Sequence, residues 1–164
     1  MKILLAADGS TYTRAAARYV REHLNLFSTR VEVHVLHVHP QLPYSGRAKS
    51  ALGAEAVERW EREESETALA VAENELRAGD AKVVYAWKVG PVVDGIEEYV
   101  ARHGIDLVVV GSHGLGAVAG LVMGSVAREC IGRLAVPVLV VPRAVAAGAS
   151  THQTTAAASE ASAS

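Results

Sequence analysis

The sequence is short of several things, and each shortage closes off a class of function. It holds a single cysteine, Cys130, in 164 residues. That excludes an internal disulfide framework and a cysteine-cluster metal site. No apolar run approaches the roughly 20 residues that span a bilayer. Lys2 is followed by only five apolar residues, Ile3 to Ala7, before Asp8, whereas a secretory signal needs an apolar stretch of about 7–15. The chain therefore reads as soluble and cytoplasmic, with no membrane partner. Neither sign of charge dominates: 16 Lys plus Arg against 18 Asp plus Glu leave a net charge of −2. A near-neutral chain lacks the bulk attraction that a sequence-independent nucleic-acid binder uses, so no nucleic-acid partner is expected. Two common nucleotide motifs are missing as well. There is no GxxxxGK[ST], and no GxGxxG follows the first apolar segment. A phospho-receiver would place an acid at the end of its third strand, where this chain has Trp87-Lys88.

What is abundant is small and branched. Half the residues are apolar, with 29 Ala and 24 Val but only eight aromatics. A Val-rich, aromatic-poor interior suits a sheet buried on both faces under helices. Residues Ala144 to Ser164 contain 9 Ala, 4 Ser and 3 Thr, with no Leu, Ile or aromatic. Such a segment cannot bury enough apolar area to offset the entropy of ordering it. The expected organisation is one domain over residues 1–143 and a disordered tail over 144–164.

Within the domain, strand and helix patterns alternate. Lys2 to Ala7 is a short apolar run ending in the turn residues Asp8-Gly9-Ser10. Ala16, Val20, Leu24 and Phe27 then recur at helical spacing up to Ser28. Val31 to Val38 is a strand ending near His39-Pro40. A polar loop, Gln41 to Lys49, leads into a long Glu- and Arg-rich helix from about Ser50 to Ala78. Its Glu55–Arg59 and Glu58–Arg62 spacings favour a solvated face. Lys82 to Trp87 is a third strand. Pro91 starts a helix with a Val93, Ile96, Val100 stripe, which Gly104 closes. Asp106 to Val110 is a fourth strand, Ser125 to Arg133 a helix, and Val136 to Val141 the last strand. Five apolar strands joined by helices make a parallel sheet covered on both faces. Ligands of such sheets bind beyond the carboxyl ends of the strands, where strand order reverses.

Three segments lie at such ends: Asp8-Gly9-Ser10, the Val38-His39-Pro40 corner, and the stretch from Gly111 to Ser125. The last reads Gly111-Ser112-His113-Gly114, nine residues, then Gly124-Ser125 opening a helix. Glycines permit positive φ and close approach of the backbone to a ligand, and a helix N-terminus offers unpaired N–H groups. This is the composition of a phosphate cradle. It is equally that of a glycine-rich connection in which Ser125 is only an N-cap. Asp8 is either a ligand contact or a turn residue bonding toward Ser10, and His113 either approaches phosphate or is a polar loop residue. His37 and His39 share one strand face and His34 takes the other, with no acid or cysteine at metal-ligand spacing. Arg128 and the Glu-rich helix read first as solvated faces, and Cys130 as a small packed residue.

The spacing G-x2-G-x9-G-S at Gly111, Gly114, Gly124 and Ser125 resembles the ATP-binding signature of the universal stress protein family. ILLAADGS resembles that family's first strand and turn, and VEVHVLHVHP its second strand. DLVVVGSHG and GSVARECIGRLAVPVLVVP resemble its fourth and fifth strands with the helix between. The resemblance covers residues 1–143. It implies an α/β, Rossmann-like fold of the adenine nucleotide alpha hydrolase type, a five-stranded parallel sheet of order 3-2-1-4-5 with helices on both faces. It also implies ATP as ligand, with a divalent cation such as Mg²⁺ held largely by the phosphates and water. The residues it implicates are Asp8 on the nucleoside, Val38 along the adenine pocket, and Gly111, His113, Gly114, Gly124, Ser125 and Val126 around the phosphates, with Ala6 and Val110 also in the cofactor-binding set.

An apolar last strand at a sheet edge is an aggregation hazard unless covered. The family pairs it with a second copy, so a homodimer through Val136 to Val141 is expected, shortened by Pro137 and Pro142. The functional expectation is a nucleotide-binding regulator or sensor of nucleotide state in the stress response, acting through a downstream protein partner and hydrolysing ATP slowly at most. The alternatives are a weak ATPase or phosphotransferase, for which His113 is the one candidate base, and a dimeric adaptor that binds no nucleotide.

Overall fold

The computed structural model describes residues 1–27, 30–40, 53–116 and 123–143. In chain order the elements are β1 (Lys2–Ala6), α1 (Thr11–Glu22), α2 (Leu24–Phe27), β2 (Glu32–His39), α3 (Ala54–Leu76), β3 (Lys82–Val89), α4 (Val92–His103), β4 (Leu107–Gly111), α5 (Ser125–Arg133) and β5 (Val138–Val141). The strands form one parallel sheet in the order β3-β2-β1-β4-β5. The Rossmann-like architecture with order 3-2-1-4-5 is therefore observed.

Strand alternation divides the core in two. Leu4 pairs with His34 on one side and Val108 on the other. Leu4, Leu36, Val108 and Val110 pack under α4 and α5 with Ile96 and Cys130. Ile3, Leu5, Val33, Val35 and Val109 turn the opposite way and pack under α1 and α3. Leu4, Leu5, Val108 and Val109 are fully enclosed. Continuous apolar runs were required because each strand serves both layers.

Element ends differ from the sequence reading for identifiable reasons. The first helix stops at Glu22 instead of running to position 28, which lies outside the described residues. The N–H of His23 donates to the carbonyls of Tyr19 and Val20, and its ring Nδ1 lies 2.9 Å from the Tyr19 carbonyl. This local cap ends α1, and Leu24–Phe27 forms a separate turn. β3 runs two residues further than expected because Lys88 and Val89 keep pairing with Val38 and His39. β5 begins at Val138 because Pro137 offers a carbonyl to Val108 N (3.0 Å) but has no N–H to return. Pro91 is the N-cap of α4, and Gly104 closes that helix in the left-handed region at φ 61°. The long helix begins at Ala54 instead of near Ser50, with Gly53 as its N-cap at φ 80°, and ends at Leu76 instead of Ala78. The loop Gln41 to Lys49 and the tail 144–164 lie outside the described residues.

One close approach positions the site. Gly95, in the first turns of α4, faces Val38 at the end of β2. A Cβ there would lie 2.9 Å from Val38 Cγ1 and 3.0 Å from Cγ2. Gly95→Ala should therefore lower the unfolding free energy by about 1–2 kcal/mol, although alanine gains about 1 kcal/mol in helix propensity. Urea denaturation of the two proteins checks this, and a stabilised variant would show that α4 is free to shift.

Candidate functional site

Strand order reverses between β1 and β4, and the crevice opens at their carboxyl ends. Asp8 leaves the end of β1 and is half-buried. Its Oδ1 accepts hydrogen bonds from Thr13 Oγ1 (2.7 Å) and Ser10 N (3.0 Å). Its Oδ2 accepts one from Leu115 N (3.0 Å), 107 residues away in the chain. Burial works to raise the Asp8 pKa. The bonds from Ser10, Thr13 and Leu115 together outweigh it and hold the carboxyl below its usual value. A carboxylate has about four acceptor sites, so one acceptor direction of Asp8 remains open.

A cavity of about 480 Å³ fills the crevice. All ten residues singled out from the sequence line it: Ala6, Asp8, Val38, Val110, Gly111, His113, Gly114, Gly124, Ser125 and Val126. One wall is apolar, and its far side is supplied by Val92 and Ile96 of α4. The sequence marked Ile96 only as part of a helical stripe with Val93 and Val100, and gave no signal for Val92. Thr13, Leu115 and Arg128 also line the cavity. Thr13 had no local signal, since its contact with Asp8 exists only when the β1–α1 turn closes. A larger, more open depression of about 960 Å³ lies at the amino ends of the strands. There Arg21 and Lys82 are already paired with Glu75 and Glu32, and the switch point lies at the other edge of the sheet.

The glycines have a different role from the one their type suggested. Among the described residues, positive φ belongs to Gly9, Gly53, Gly90 and Gly104, and to none of the loop glycines. A Cβ on Gly111 would lie 2.6 Å from Tyr12 Cβ. One on Gly114 would run into the Asp8 carboxylate, and one on Gly124 would sit 3.2 Å from His113 Cα. The glycines let the loop fold onto the β1–α1 turn and onto itself. Ser125 is likewise corrected: Gly124 is the N-cap of α5 and makes no side-chain cap bond, while Ser125 is the first helical residue. Its hydroxyl is exposed at the cavity rim. The first N–H groups of α5 have no intrahelical acceptor.

The histidines separate as the alternation required. His34 is buried under α4, with Nδ1 3.0 Å from Tyr99 Oη and Nε2 3.0 Å from Glu32. The His37 and His39 rings lie 6.0 Å apart on the other face. Among the described residues no group of three or more metal-ligating side chains converges. His113 has its ring 5.3 Å from that of Tyr12 and Nδ1 3.2 Å from Ser112 Oγ. Cys130 is fully buried, and burial pushes its thiol up to about 11. No described helix is long and apolar enough to cross a membrane.

An α/β sheet with a cavity at its topological switch point, closed by a glycine loop and a helix N-terminus, defines a class of small-ligand-binding domains. The family model of the universal stress protein family matches residues 1–142, and the chain belongs to that family. A universal stress protein from Thermus aquaticus is 31% identical over 140 residues, covering 85% of this chain and 96% of its own. Universal stress protein UspA from Lactobacillus plantarum has the same fold, with a TM-score of 0.69, 20% identity, and coverage of 86% of this chain and 97% of that one. A family member from Arabidopsis thaliana, solved with AMP bound, superposes with a TM-score of 0.63 at 20% identity, covering 87% and 92%. Other universal stress proteins of this fold were solved with cAMP and with dAMP.

His37 makes the crevice floor sensitive to pH. Its Nδ1 lies 2.7 Å from the Ala7 carbonyl, so that nitrogen carries the hydrogen. Burial lowers the His37 pKa, against the opposing pull of that bond, and burial lowers that of His34 too. The unfolded histidine titrates near about 6.5, so just below that value the unfolded chain binds more protons. Stability is therefore full above about pH 6.5 and falls as pH drops through it. Urea midpoints between pH ~7 and ~5 should fall in the wild type and fall less in His37→Asn, leaving the His34 share. An identical slope in both proteins would remove His37 from this account.

Proposed function

We propose that the protein binds ATP in the switch-point cavity and acts in the cytoplasm as a regulator that reports nucleotide state through its conformation or choice of protein partner. The observation that carries this reading is the division of one cavity into two chemistries. Val38, Val92 and Ile96 line an apolar part suited to a flat base. Gly111, Gly114, Gly124 and the start of α5 line a part where backbone N–H groups meet a positive helix end, suited to phosphates. Asp8 stands between them with one acceptor direction open, the group a ribose hydroxyl needs. Support for an adenine nucleotide in general comes from the relatives solved with AMP, cAMP and dAMP.

Mg²⁺ would accompany the triphosphate. The one carboxylate lining the cavity is Asp8, which already accepts three hydrogen bonds. The cation would thus be held by phosphate oxygens and water, as its reluctance to dehydrate favours. His113 lies too deep in loop contacts with Ser112 and Tyr12 to be assigned as a base. The reading is therefore one of binding, with hydrolysis slow at most. A second copy is proposed to pair along β5, whose outer edge has no strand beside it among the described residues.

Mass spectrometry of nucleotide carried through purification, followed by equilibrium dialysis with labelled ATP, tests the site. Gly114→Ala should weaken ATP at least about tenfold, because its Cβ runs into the Asp8 carboxylate and displaces the loop. Ser125→Ala should weaken it by about 3–10-fold through loss of one hydroxyl donor. Equal affinity in all three proteins would refute the site, and no binding at millimolar ATP would favour the adaptor.

A further inference from the structure

Among the described residues that line the cavity, Arg128 is the one Arg or Lys. Arg18, Arg21, Arg62, Arg77, Arg102, Arg133, Lys82 and Lys88 each hold a carboxylate in an ion pair. Arg128 holds none, although it lines the cavity beside Gly124 and Ser125. The neighbouring sequence offers none either. Positions 28–29, 41–52 and 117–122 contain no Asp or Glu, and Glu160 is the one acid beyond residue 143. Near the loop, Arg143 is engaged differently, with its guanidinium 5.9 Å from the centre of the Tyr12 ring.

Its position on the helix makes the lack of a partner more informative. Arg128 N donates to the Gly124 carbonyl (3.2 Å), the first hydrogen bond of α5, so the side chain belongs to the opening turn. The first turn of α5 carries no acid. A cation there opposes the positive end of the helix dipole, where acids are normally favoured. Arg128 is exposed, and helical side chains lean toward the N-terminus, so its guanidinium is within reach of that end of the helix. Three positive features therefore share the rim at the start of α5: the guanidinium, the orphan N–H groups and the helix dipole. The one acid of the described lining, Asp8, is already engaged by three donors. That arrangement is unfavourable when empty and is relieved by a polyanion.

We infer that Arg128 is a specificity-determining residue that selects for phosphate chain length, favouring a nucleoside triphosphate over the monophosphate. This rests on the nucleotide reading of the cavity. A single phosphate can be saturated by the neutral N–H donors of the loop and helix. Further phosphates add charge that those donors do not neutralise, and a planar guanidinium meets two phosphate oxygens at once.

Isothermal titration of AMP and ATP into wild type, Arg128→Gln and Arg128→Lys decides the matter. Wild type should prefer ATP over AMP, and Arg128→Gln should reduce that ratio by about tenfold, the worth of one charge-assisted hydrogen bond. Arg128→Lys should retain part of the preference, because it keeps the charge and loses the fork. The melting temperature of nucleotide-free Arg128→Gln should hold or rise by about 1–3 °C. A lowered melting temperature would mark a structural residue and overturn the inference. So would an unchanged ATP-to-AMP ratio in Arg128→Gln while both nucleotides still bind, which would leave the nucleotide reading intact. If wild type binds neither, that reading and the role of Arg128 fall together.

Discussion

The crevice depends on a carboxylate in a place where burial disfavours one. Asp8 sits where β1 stops, and its two oxygens collect the Thr13 hydroxyl, the Ser10 N–H and the Leu115 N–H. The first two fix the β1–α1 turn and the start of α1, which Ser10 also caps through Tyr12 N and Thr13 N. The third fastens the loop that leaves the neighbouring strand β4 onto that turn. Desolvation opposes the charge, and the hydrogen bonds outweigh it. Gly114 is small because the same carboxylate occupies the space its Cβ would need. The signature glycines and the acid after the first strand are thus one device: the glycines make room for the clasp, and the clasp shapes the cavity.

The other wall has its own constraint. Val38, next to last in β2, lies beneath α4, and Gly95 allows the helix to lie directly upon it. This brings Val92 and Ile96 over the carboxyl ends of β1 and β2, giving the cavity an apolar side opposite its N–H-rich side. Two close backbone approaches, one on each flank of the switch point, set the width of the crevice. The charge balance fits a small anion. The described cavity lining includes one acid, already holding three hydrogen bonds, and one guanidinium, paired with no carboxylate. The near-neutral net charge of −2 conceals this local imbalance.

The sheet was legible because a strand buried on both faces must be apolar at every position. LVVV in β4 carries that requirement without ambiguity, and β2 carries it through Val33, Val35, Leu36 and Val38, with its buried histidines hydrogen-bonded. Helix ends were legible where the chemistry was local, as at Gly104 with its left-handed φ of 61°. They were misread where the deciding group was a side chain folding back, as at His23, or a pairing partner elsewhere, as at Lys88 and Val89. The site residues were legible as types in a spacing. Their roles were only partly so, since Ser125 follows the cap it was read as, and the loop glycines serve close packing instead of positive φ.

The sequence by itself therefore determined the alternation of strands and helices, the two-sided burial of the sheet and the set of residues at its carboxyl edge. These follow from periodicity, turn chemistry and composition, which act over a few residues. Only the tertiary structure decided which of those residues meet. The bond from Leu115 to Asp8 spans 107 positions, and the seat of α4 on Val38 joins two separate segments. The isolation of Arg128 from every described carboxylate is likewise a property of packing. Contacts of that range come from how layers close on one another, and no local preference encodes them.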